Sequence, residues 1–564
     1  SLLGNAAGNA NTAAGYQSLY NNTTDGNTAF GYQSLYTNGA VPYNSAFGYQ
    51  ALYLNTGGDN SAMGYAALRA NSSGSFNTAM GTSALALNQS GSKNTAIGAR
   101  ALNLNTLGNE NTATGTYALL NNQGGSYNTA YGFQSLLNNI NGLGNTAAGY
   151  QSLQKNVTDG STAFGYQALS ENTSATGNSA FGYQSLFVST GSYNTAVGYS
   201  VLKANSSASH NTGVGSQALL NNTGGFENTA IGTFAMQTNV IGFGNTATGV
   251  RALYGNQNGN ENTAVGKRAM FTNTQGINNV STGFQSLFFN TTGSSNTALG
   301  YQSLYSSVSR DGSTAVGYKS LYANTQGFYN TAVGYQALQN NTNSSDNTAV
   351  GYNALSTTIP GDNNTAVGSN ALLSSNGFDN TATGAFAMGG STSGIGNTAN
   401  GVRALYSNIN GSENTALGKN ALYTNTAGYR NVSAGVESLY SNTNGFENTA
   451  NGYQSMYSNT TGDRNVANGH QSLYSNTFGN DNTATGYQAL YSNNSGEGNA
   501  AHGYQALYLN TAGFNNTASG YQALRANTSG SQNTATGVFA LYSNTTANGN
   551  TATGKDALYS NTTG

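Results

Sequence analysis

The side chains that most often carry catalysis or bind metals are scarce in this sequence and are scattered along it. The three histidines are His210, His470 and His502, and the chain has no cysteine. A metal site needs several His, Cys, Asp or Glu ligands at defined spacings, and catalysis needs several different groups in one place. The histidines are too far apart in the sequence for either role, so we expect no metal site built on them.

The acidic and glycine-rich segments offer no site either. Residues Asp25, Asp59, Glu110 and Asp159 lie in Gly- and Asn-rich stretches without a shared position. Calcium-binding solenoids of the RTX type place an Asp in every repeat, and this chain does not. No Lys-Ser/Thr follows Gly124–Gly125, so turn glycines are expected there instead of a phosphate loop. The sequence therefore predicts no catalytic residue, no metal and no cofactor, and a protein that is not an enzyme.

Tyrosine is the one chemically versatile side chain that recurs regularly. Two series are Tyr16, Tyr32, Tyr49 and Tyr20, Tyr36, Tyr53. Equivalent places elsewhere hold Lys267, Lys419, Arg69 and Lys203. Columns that accept lysine face water or a partner. The tyrosines could simply cover a sheet face, for which they have good β propensity, or they could bind sugars or close a seam between subunits.

These tyrosines belong to a repeat that runs through the whole chain. The phrase Asn-Thr-Ala-x-Gly begins first at Asn11 and last at Asn550, in 33 copies. Of the 32 steps between copies, 27 are 17 residues and five are 16. A period this regular is typical of a solenoid, in which each unit contacts only its neighbours.

Some repeat positions are nearly invariant. We count the motif Asn as position 0, and in 16-residue repeats the missing residue falls after position 11. Position 4 is always Gly (Gly15, Gly31, Gly48), position 8 is Leu or Met (Leu19, Leu35, Leu52), and positions 2 and 7 hold small residues with few exceptions. We expect these four columns to point inward.

The restricted positions predict two short strands per repeat. If positions 2 and 4 point inward and positions 3 and 5 point outward, the side chains alternate as they do in a β-strand. Positions 7 and 8 are both restricted, so a corner or bulge should lie near positions 5 to 7, with a second strand at about positions 7 to 11. The sequence therefore predicts an all-β parallel β-solenoid of about 33 coils.

Asparagine recurs at positions 0 and 11, as in Asn11 and Asn22. Identical amides stacked at the strand spacing of about 4.8 Å can hydrogen-bond up the stack, so we expect Asn ladders. One Leu per coil makes a thin core. A thin core favours a second buried surface, and we expect either a trimer with Leu and Tyr columns at its seam or lateral packing of copies.

A longer period overlies the short one. Residues 249–254 return at 401–406, and 234–236 return at 386–388, both after 152 residues or nine coils. We expect residues 1–564 to form a single continuous array. Because Ser1–Leu3 match positions 7 to 9, we also expect the array to begin in mid-coil as part of a longer chain.

Composition limits the partners. Charged residues are 6% of the chain, against about 25% in a typical soluble protein. The net charge of -2 provides no basic surface for phosphates, so nucleic acid is not an expected partner. No segment approaches the ~20 apolar residues that span a bilayer, so no membrane insertion is expected here.

The repeat resembles known bacterial sequences. The phrases at 94–98 and 228–232 resemble the YadA-like head repeats of trimeric autotransporter adhesins. The longer phrase at 482–494 also resembles repeats of long bacterial surface proteins and phage tail fibres. The resemblance implies a parallel β-roll, usually trimeric, in an extracellular fibre that adheres to a host or matrix. The coils here are longer than is usual in that family, which could mean a different oligomer.

Together these observations predict a structural fibre segment on a cell surface or virion appendage, serving as spacer and multivalent adhesive surface. Expected partners are copies of itself, as a homotrimer or an end-to-end or lateral filament, and host-surface or matrix glycans. An ice-binding or glycan-binding solenoid is the alternative.

Overall fold

The computed structural model describes residues 8–357 and 359–563. It divides into two compact units, Ser1–Asn279 and Val280–Gly564, which are described separately. The expected mid-coil start at Ser1–Leu3 lies outside the described residues. Each unit is a parallel β-solenoid with about 17 residues per coil, and the described residues contain no helix. The predicted fold class is confirmed.

The described residues of the first unit form twenty short strands. In chain order they are β1 (Thr12–Ala14), β2 (Asn21–Asn22), β3 (Thr28–Phe30), β4 (Thr37–Asn38), β5 (Ser45–Phe47), β6 (Leu54–Asn55), β7 (Ser61–Met63), β8 (Ala70–Asn71), β9 (Thr78–Met80), β10 (Thr95–Ile97), β11 (Thr112–Thr114), β12 (Thr129–Tyr131), β13 (Thr146–Ala148), β14 (Thr162–Phe164), β15 (Ser179–Phe181), β16 (Thr195–Val197), β17 (Thr212–Val214), β18 (Thr229–Ile231), β19 (Thr246–Thr248) and β20 (Thr263–Val265).

The second unit contains seventeen strands. They are β21 (Val280–Thr282), β22 (Thr297–Leu299), β23 (Thr314–Val316), β24 (Thr331–Val333), β25 (Thr348–Val350), β26 (Thr365–Val367), β27 (Thr381–Thr383), β28 (Thr398–Asn400), β29 (Thr415–Leu417), β30 (Val432–Ala434), β31 (Thr449–Asn451), β32 (Val466–Asn468), β33 (Thr483–Thr485), β34 (Ala500–His502), β35 (Thr517–Ser519), β36 (Thr534–Thr536) and β37 (Thr551–Thr553).

The three-residue strands occupy positions 1 to 3 and pair in parallel, each with the same positions of the next coil. Thr95 of β10 is opposite Thr112 of β11, and Ala96 is opposite Ala113. The middle residue is buried while its two neighbours face outward, as the alternation predicts. Identical residues therefore stack into columns along each unit.

The second predicted strand is largely replaced by turns. Two-residue strands at positions 10 and 11 are seen in the first four coils, where β2, β4, β6 and β8 form their own small parallel sheet. Positions 6 and 8 have positive φ angles, for example 56° at Arg100 and 52° at Leu102. This left-handed conformation interrupts the pleat and confines any strand to positions 10 and 11.

The turn segment still hydrogen-bonds between coils. In the coil that begins at Asn94, the backbone N–H of Gly98 and that of Arg100 donate to the preceding coil, at 2.7 and 2.9 Å. The backbone N–H groups of Leu102 and Leu104 donate to the following coil, at 2.9 and 3.0 Å. The ladder of backbone hydrogen bonds thus extends well beyond the strands.

Every position-8 residue, Leu or Met, has φ between 48° and 54°. A non-glycine residue in this region carries a backbone cost of about 1–3 kcal/mol. The left-handed residue turns the chain so that positions 7 and 8 both face inward, and Leu19, Leu35 and Leu52 are completely buried. Burying a Leu side chain contributes about 1.5–3 kcal/mol, which offsets that cost.

The enclosed Leu column corrects one expectation. Leu19, Leu35 and Leu52 are at 0% exposure within a single chain. A side chain that is already buried in its own coil cannot contact another chain. The expectation that Leu columns form a seam between subunits is therefore wrong.

Position 4 is always glycine for a reason other than the expected inward orientation. Gly15, Gly31 and Gly48 are not interior residues, since each is at least partly exposed to solvent. All position-4 glycines have φ between 115° and 146°. A Cβ added at nearly all of them would collide with the next coil: at Gly115 the backbone carbon of Gly132 lies 2.7 Å away. Close approach between coils, not inward orientation, requires glycine here.

The two predicted Asn ladders are present. At position 11, Asn38 donates from Nδ2 to Oδ1 of Asn22 at 2.7 Å, and the next coils continue the pattern. At position 0, the backbone N–H of Asn27 donates to Oδ1 of Asn11 at 2.7 Å. Nearly all of these asparagines are fully buried. Buried amides are stable only when they are hydrogen-bonded, and the stacking supplies the partners.

The two ladders meet at position 14. The carbonyl oxygen of Gly108 accepts from Nδ2 of Asn94 and from Nδ2 of Asn105, both at 2.9 Å. One backbone oxygen therefore joins the start and the end of a coil. A Cβ at Gly108 would collide with Asn122 at 2.7 Å, so glycine recurs at this position.

Replacing a position-4 glycine should destabilise its coil. We expect Gly215→Ala, at φ 115° and with the Gly232 carbon 2.7 Å from the new Cβ, to cost about 1–3 kcal/mol in backbone strain plus the collision. Gly224→Ala in the same coil is the control, because its Cβ would meet only Ile241 at 3.5 Å. Amide hydrogen exchange around residues 198–249 measures the effect. Equal protection in the two variants would contradict this explanation.

Replacing a ladder asparagine should leave buried partners unsatisfied. Asn476→Ala removes the acceptor of Asn493 Nδ2 and the donor to Asn459 Oδ1, bonds of 2.7 and 2.8 Å. We expect a loss of about 1–3 kcal/mol for each unsatisfied group, measured by denaturant unfolding.

Asn476→Ser is the matched control for that variant, because Ser189, Ser307, Ser375 and Ser391 occupy position 11 naturally. It should cost less than the alanine. An alanine variant as stable as the parent would show that the ladder is dispensable.

Candidate interaction face

The predicted tyrosine columns form continuous ring stacks. At position 5, Tyr16, Tyr32 and Tyr49 have successive ring centroids 5.3 and 5.0 Å apart, with planes within 11°. The position-9 series has the same arrangement: Tyr20, Tyr36 and Tyr53 are 5.2 and 5.1 Å apart. The structure therefore brings the predicted residues together within each column.

The two columns differ in exposure. Tyr16, Tyr32 and Tyr49 are 64%, 41% and 43% exposed. The position-9 tyrosines Tyr20, Tyr36 and Tyr53 are half-buried. Position 5 therefore faces water as predicted, while position 9 is partly covered.

The second unit has a longer stack at position 9. Its seven rings have centroids 5.0–5.3 Å apart and planes within 15°: Tyr406, Tyr423, Tyr440, Tyr457, Tyr474, Tyr491 and Tyr508. Offset-stacked aromatic pairs add about 0.5–1.5 kcal/mol beyond their buried area. Such a stack supports the coil as well as lining its surface.

Position 6 carries a glutamine ladder that sequence reasoning missed. Gln471, Gln488, Gln505 and Gln522 each donate from Nε2 to Oε1 of the preceding side chain at 2.9–3.0 Å. The signal was the frequent Gln after the position-5 Tyr, which stacking in register makes into a ladder. Each amide has one further N–H and one further lone pair for other partners, and at Gln505 the second lone pair of Oε1 accepts from Nε of Arg525 at 3.3 Å.

The ladder lies between the tyrosine columns. Lys319, which replaces Gln at position 6, has its Nζ 5.5 Å from the ring centre of Tyr318 at position 5 and 5.2 Å from that of Tyr322 at position 9. Gln154 at position 9 donates to Oε1 of Gln134 at position 6, at 3.0 Å. We call the surface made by positions 5, 6 and 9 the Tyr/Gln face.

The stacking decides which chemistry the Tyr/Gln face can offer. Within a run such as Tyr440–Tyr474, each ring has a parallel ring about 5 Å away on both sides. The flat faces of the rings are therefore covered, and a sugar cannot stack on them. Phenol hydroxyls, ring edges and Gln amides remain, which suits hydrogen bonding to a polar ligand.

A charged column at position 16 was also missed. Glu413, Arg430, Glu447, Arg464 and Asp481 follow one another in successive coils, with alternating sign. Arg430 lies 2.8 Å from Glu413 and 3.7 Å from Glu447, and Arg464 lies 2.8 Å from Asp481. These exposed pairs contribute little to stability, because water screens the charges. The expectation that acidic residues share no position is wrong, because Asp59 and Glu110 also lie at position 16, and Asp25 and Asp159 both lie at position 15.

The side chains that could bind a metal ion are scattered over the described residues. No three His, Cys, Asp or Glu side chains among the described residues are placed to hold a metal ion. His470 lies in the position-5 stack, 5.1 Å from Tyr453 and from Tyr487. His210 lies against Tyr193, at 5.4 Å, and His502 is in strand β34. The three histidines thus lie in three different columns.

Comparison with known proteins gives no further guide. No protein-family model matches the sequence, and no curated protein matches it. The described residues include no helix with the length and apolarity to cross a bilayer. Functional inference therefore rests on the geometry of the coils.

The environment of the long stack alters tyrosine ionisation. Burial raises the pKa of the Tyr457 phenol above its ordinary value, and the nearby Glu437 carboxylate adds to this. Burial likewise raises the pKa of Tyr491. A raised folded pKa means that the neutral phenol is favoured, so this contribution to stability is present below the ordinary tyrosine pKa of about 10 and is lost as pH rises through the folded value.

Alkaline titration should show that the pKa of these two tyrosines is raised in the folded chain. We expect a small late fraction of the tyrosinate absorbance of the folded chain to appear at higher pH than in the guanidinium-unfolded chain, and this fraction should decrease in the Tyr457→Phe/Tyr491→Phe variant. The Phe variant keeps both rings and so controls for the stack. Identical titration curves for folded and unfolded parent chains would contradict the expected shift.

Proposed function

We propose that this chain is a segment of an extracellular structural fibre that acts as a spacer and as a multivalent adhesive surface. The observation that carries the proposal is the uniform direction of the hydrogen bonds. In each unit, backbone, Asn and Gln ladders all connect one coil to the next along the stack. A structure held in this way suits the load-bearing role of a fibre.

The inter-coil contacts act in parallel. The junction between the coils that begin at Asn94 and Asn111 contains strand pairing, nine further backbone hydrogen bonds and both Asn ladders. Separating two coils requires breaking these contacts together. Resistance to extension then depends on many modest interactions, which are repeated at every junction, and no disulfide is needed.

The adhesive role rests on the Tyr/Gln face. Each coil with Tyr, Gln and Tyr at positions 5, 6 and 9 presents the same phenol hydroxyls and amide, as in 32–36 and 49–53. Single contacts of this kind are weak, and linked copies add by avidity. The proposed partners of this face are host-surface or matrix glycans, bound through hydroxyls and ring edges. Further copies of the chain are also proposed partners of the fibre, through a different surface.

The same features oppose other functions. A net charge of -2 and 6% charged residues give nucleic acid little attraction, so it is not a proposed partner. Repetition presents the same few groups many times, whereas catalysis needs different groups once, so we propose a non-enzymatic role. The resemblance to surface and tail-fibre repeats and the absence of cysteine agree with an extracellular place on a cell or virion.

Ice binding is less well supported. A flat ice-binding face would need Thr at both outward positions of successive strands. In the first unit, β11 and β19 have Thr at positions 1 and 3, and these strands are far apart in the stack. The strands between them present apolar position-3 residues such as Tyr131 and Ile231.

Repeat number should set both reach and avidity. The in-register deletion of residues 249–400 joins Thr248 to Gly401 and preserves the local sequence, because 249–254 and 401–406 are identical. It removes nine coils. We expect the shortened chain to measure proportionately shorter by electron microscopy and to dissociate at least several-fold faster from immobilised matrix polysaccharides, because fewer contacts act together.

Two controls make this test decisive. Circular dichroism of the deletion variant shows whether the remaining coils keep their β structure, and a Gln471→Ala/Gln488→Ala chain of full length isolates the Tyr/Gln face from length. Polysaccharide binding that is absent from the parent, or equal in parent and deletion variant, would contradict the adhesive role. Compact particles instead of elongated ones would contradict the spacer role.

A further inference from the structure

The outward surface of the strands is a second face, distinct from the Tyr/Gln face. In the first unit it consists of position 1, which is Thr or Ser in all sixteen three-residue strands, and position 3. We call it the strand face. Its position-3 residues are Ala14, Phe30, Phe47, Met63, Met80, Ile97, Thr114, Tyr131, Ala148, Phe164, Phe181, Val197, Val214, Ile231, Thr248 and Val265.

Large apolar side chains on this face are exposed. Phe30 is 40% exposed, Met63 49%, Ile97 38% and Ile231 43%, although each is stacked between its neighbours in the column. Monomeric soluble proteins rarely expose contiguous apolar patches larger than a few hundred Å², and larger patches mark interaction sites. The two runs of such residues, from Phe30 to Ile97 and from Phe164 to Ile231, therefore require an explanation beyond packing within the coil.

The strand face of the first unit carries no charge. None of its sixteen position-1 or sixteen position-3 residues is Asp, Glu, Lys or Arg. The charges lie elsewhere, for example Lys93 and Glu110 at position 16 and Lys267 at position 5. Surfaces of soluble proteins usually carry interspersed charges that oppose association, and here that protection is missing. An uncharged surface is complemented by another uncharged surface.

The size of the face is adequate for a stable interface. Sixteen strands about 4.8 Å apart and three residues wide, at about 3.3 Å per residue, present roughly 750 Å². A standard protein interface buries about 800 Å² on each partner. The area of the strand face of one unit is thus close to the area that one partner buries in a standard interface.

We infer that a second copy of this chain packs on the strand face of the first unit, sheet against sheet. A second copy has the same spacing between coils. Its Thr and apolar columns can therefore keep a constant register with the Thr and apolar columns of the first copy over all sixteen strands. Sheets packed face to face lie about 10 Å apart and interdigitate their side chains. Burial of the apolar column would provide the driving force, at about 25 cal/mol per Å² of apolar surface.

The shape of the face supports such interdigitation. Phe30 and Phe47 stack with ring centroids 5.2 Å apart, and Phe164 and Phe181 do the same. Next to Phe47, a shallow depression of about 210 Å³ lies among Phe47, Met63 and Met80. A side chain of the opposite sheet can enter it, and flexible methionines adapt to such contacts.

The second unit has this character only in part. Its position-3 residues are apolar from Leu299 to Val367 and mostly polar from Thr383 to Thr553. The inference is therefore limited to the first unit. The inference rests on the proposed fibre role, in which copies of the chain associate, and it identifies the surface through which they do so.

Charge on the strand face should abolish the association. We would introduce Ile97→Lys, Val197→Lys and Ile231→Lys together into the full chain. The matched control places three lysines at position 5 of the same coils: Ala99→Lys, Tyr199→Lys and Thr233→Lys. Both variants gain the same charge at outward positions, and Lys267 and Lys419 show that position 5 accepts lysine. Circular dichroism confirms that each variant is folded.

Sedimentation velocity over a concentration series measures the result. We expect the parent and the position-5 variant to self-associate with similar affinity, and the strand-face variant to dissociate with a dissociation constant raised at least tenfold. A parent chain that is monomeric throughout would overturn the inference. So would equal weakening in both lysine variants, or a strand-face variant that associates as the parent does.

Two further readouts separate this inference from its alternatives. Thermal hysteresis of a monomeric parent that is lost in the strand-face variant would assign the face to ice and overturn the inference. Polysaccharide binding depends on the Tyr/Gln face, which the strand-face lysines leave intact. If the parent chain binds polysaccharide but does not self-associate, the inference fails and the proposed adhesive role stands. If it self-associates through the strand face but does not bind polysaccharide, the inference stands and the proposed adhesive role fails.

Discussion

Successive coils approach each other so closely at position 4 that a single added Cβ would meet the backbone of the next coil. At Gly215 that distance is 2.7 Å, and nearly all the glycines in this column are in the same situation. This contact allows each coil to lie directly on the next, and backbone hydrogen bonds then form around most of its circumference. The Asn, Gln and Tyr ladders all depend on that spacing.

Stacking in register converts each repeat position into a surface column. A residue that is unremarkable in one coil becomes a ladder when it recurs at the same place in the next coil. Buried Asn amides obtain partners in this way, and tyrosine rings cover one another's faces. The same process creates an uncharged apolar column at position 3 and an alternating charged column at position 16. The surface of each unit is thus a set of parallel stripes.

Stripes of this kind suit association better than catalysis. No three His, Cys, Asp or Glu side chains in the described residues are placed to hold a metal ion, while hydroxyls, amides or apolar groups recur from coil to coil. Interactions that are weak singly become effective when many act together. The proposed fibre role and the proposed pairing through the strand face use two different stripes, and so the two can be tested separately.

The sequence by itself determined the solenoid, the coil length, the buried Ala and Leu columns and both Asn ladders, because a strict period forces equal residues into equal environments. It also located the tyrosine columns. Only the tertiary structure showed that the Leu column is closed within one chain, and that position 4 is glycine because coils touch there. The left-handed φ at positions 6 and 8 and the contacts between coils decided these points, since both depend on backbone geometry that residue types do not specify.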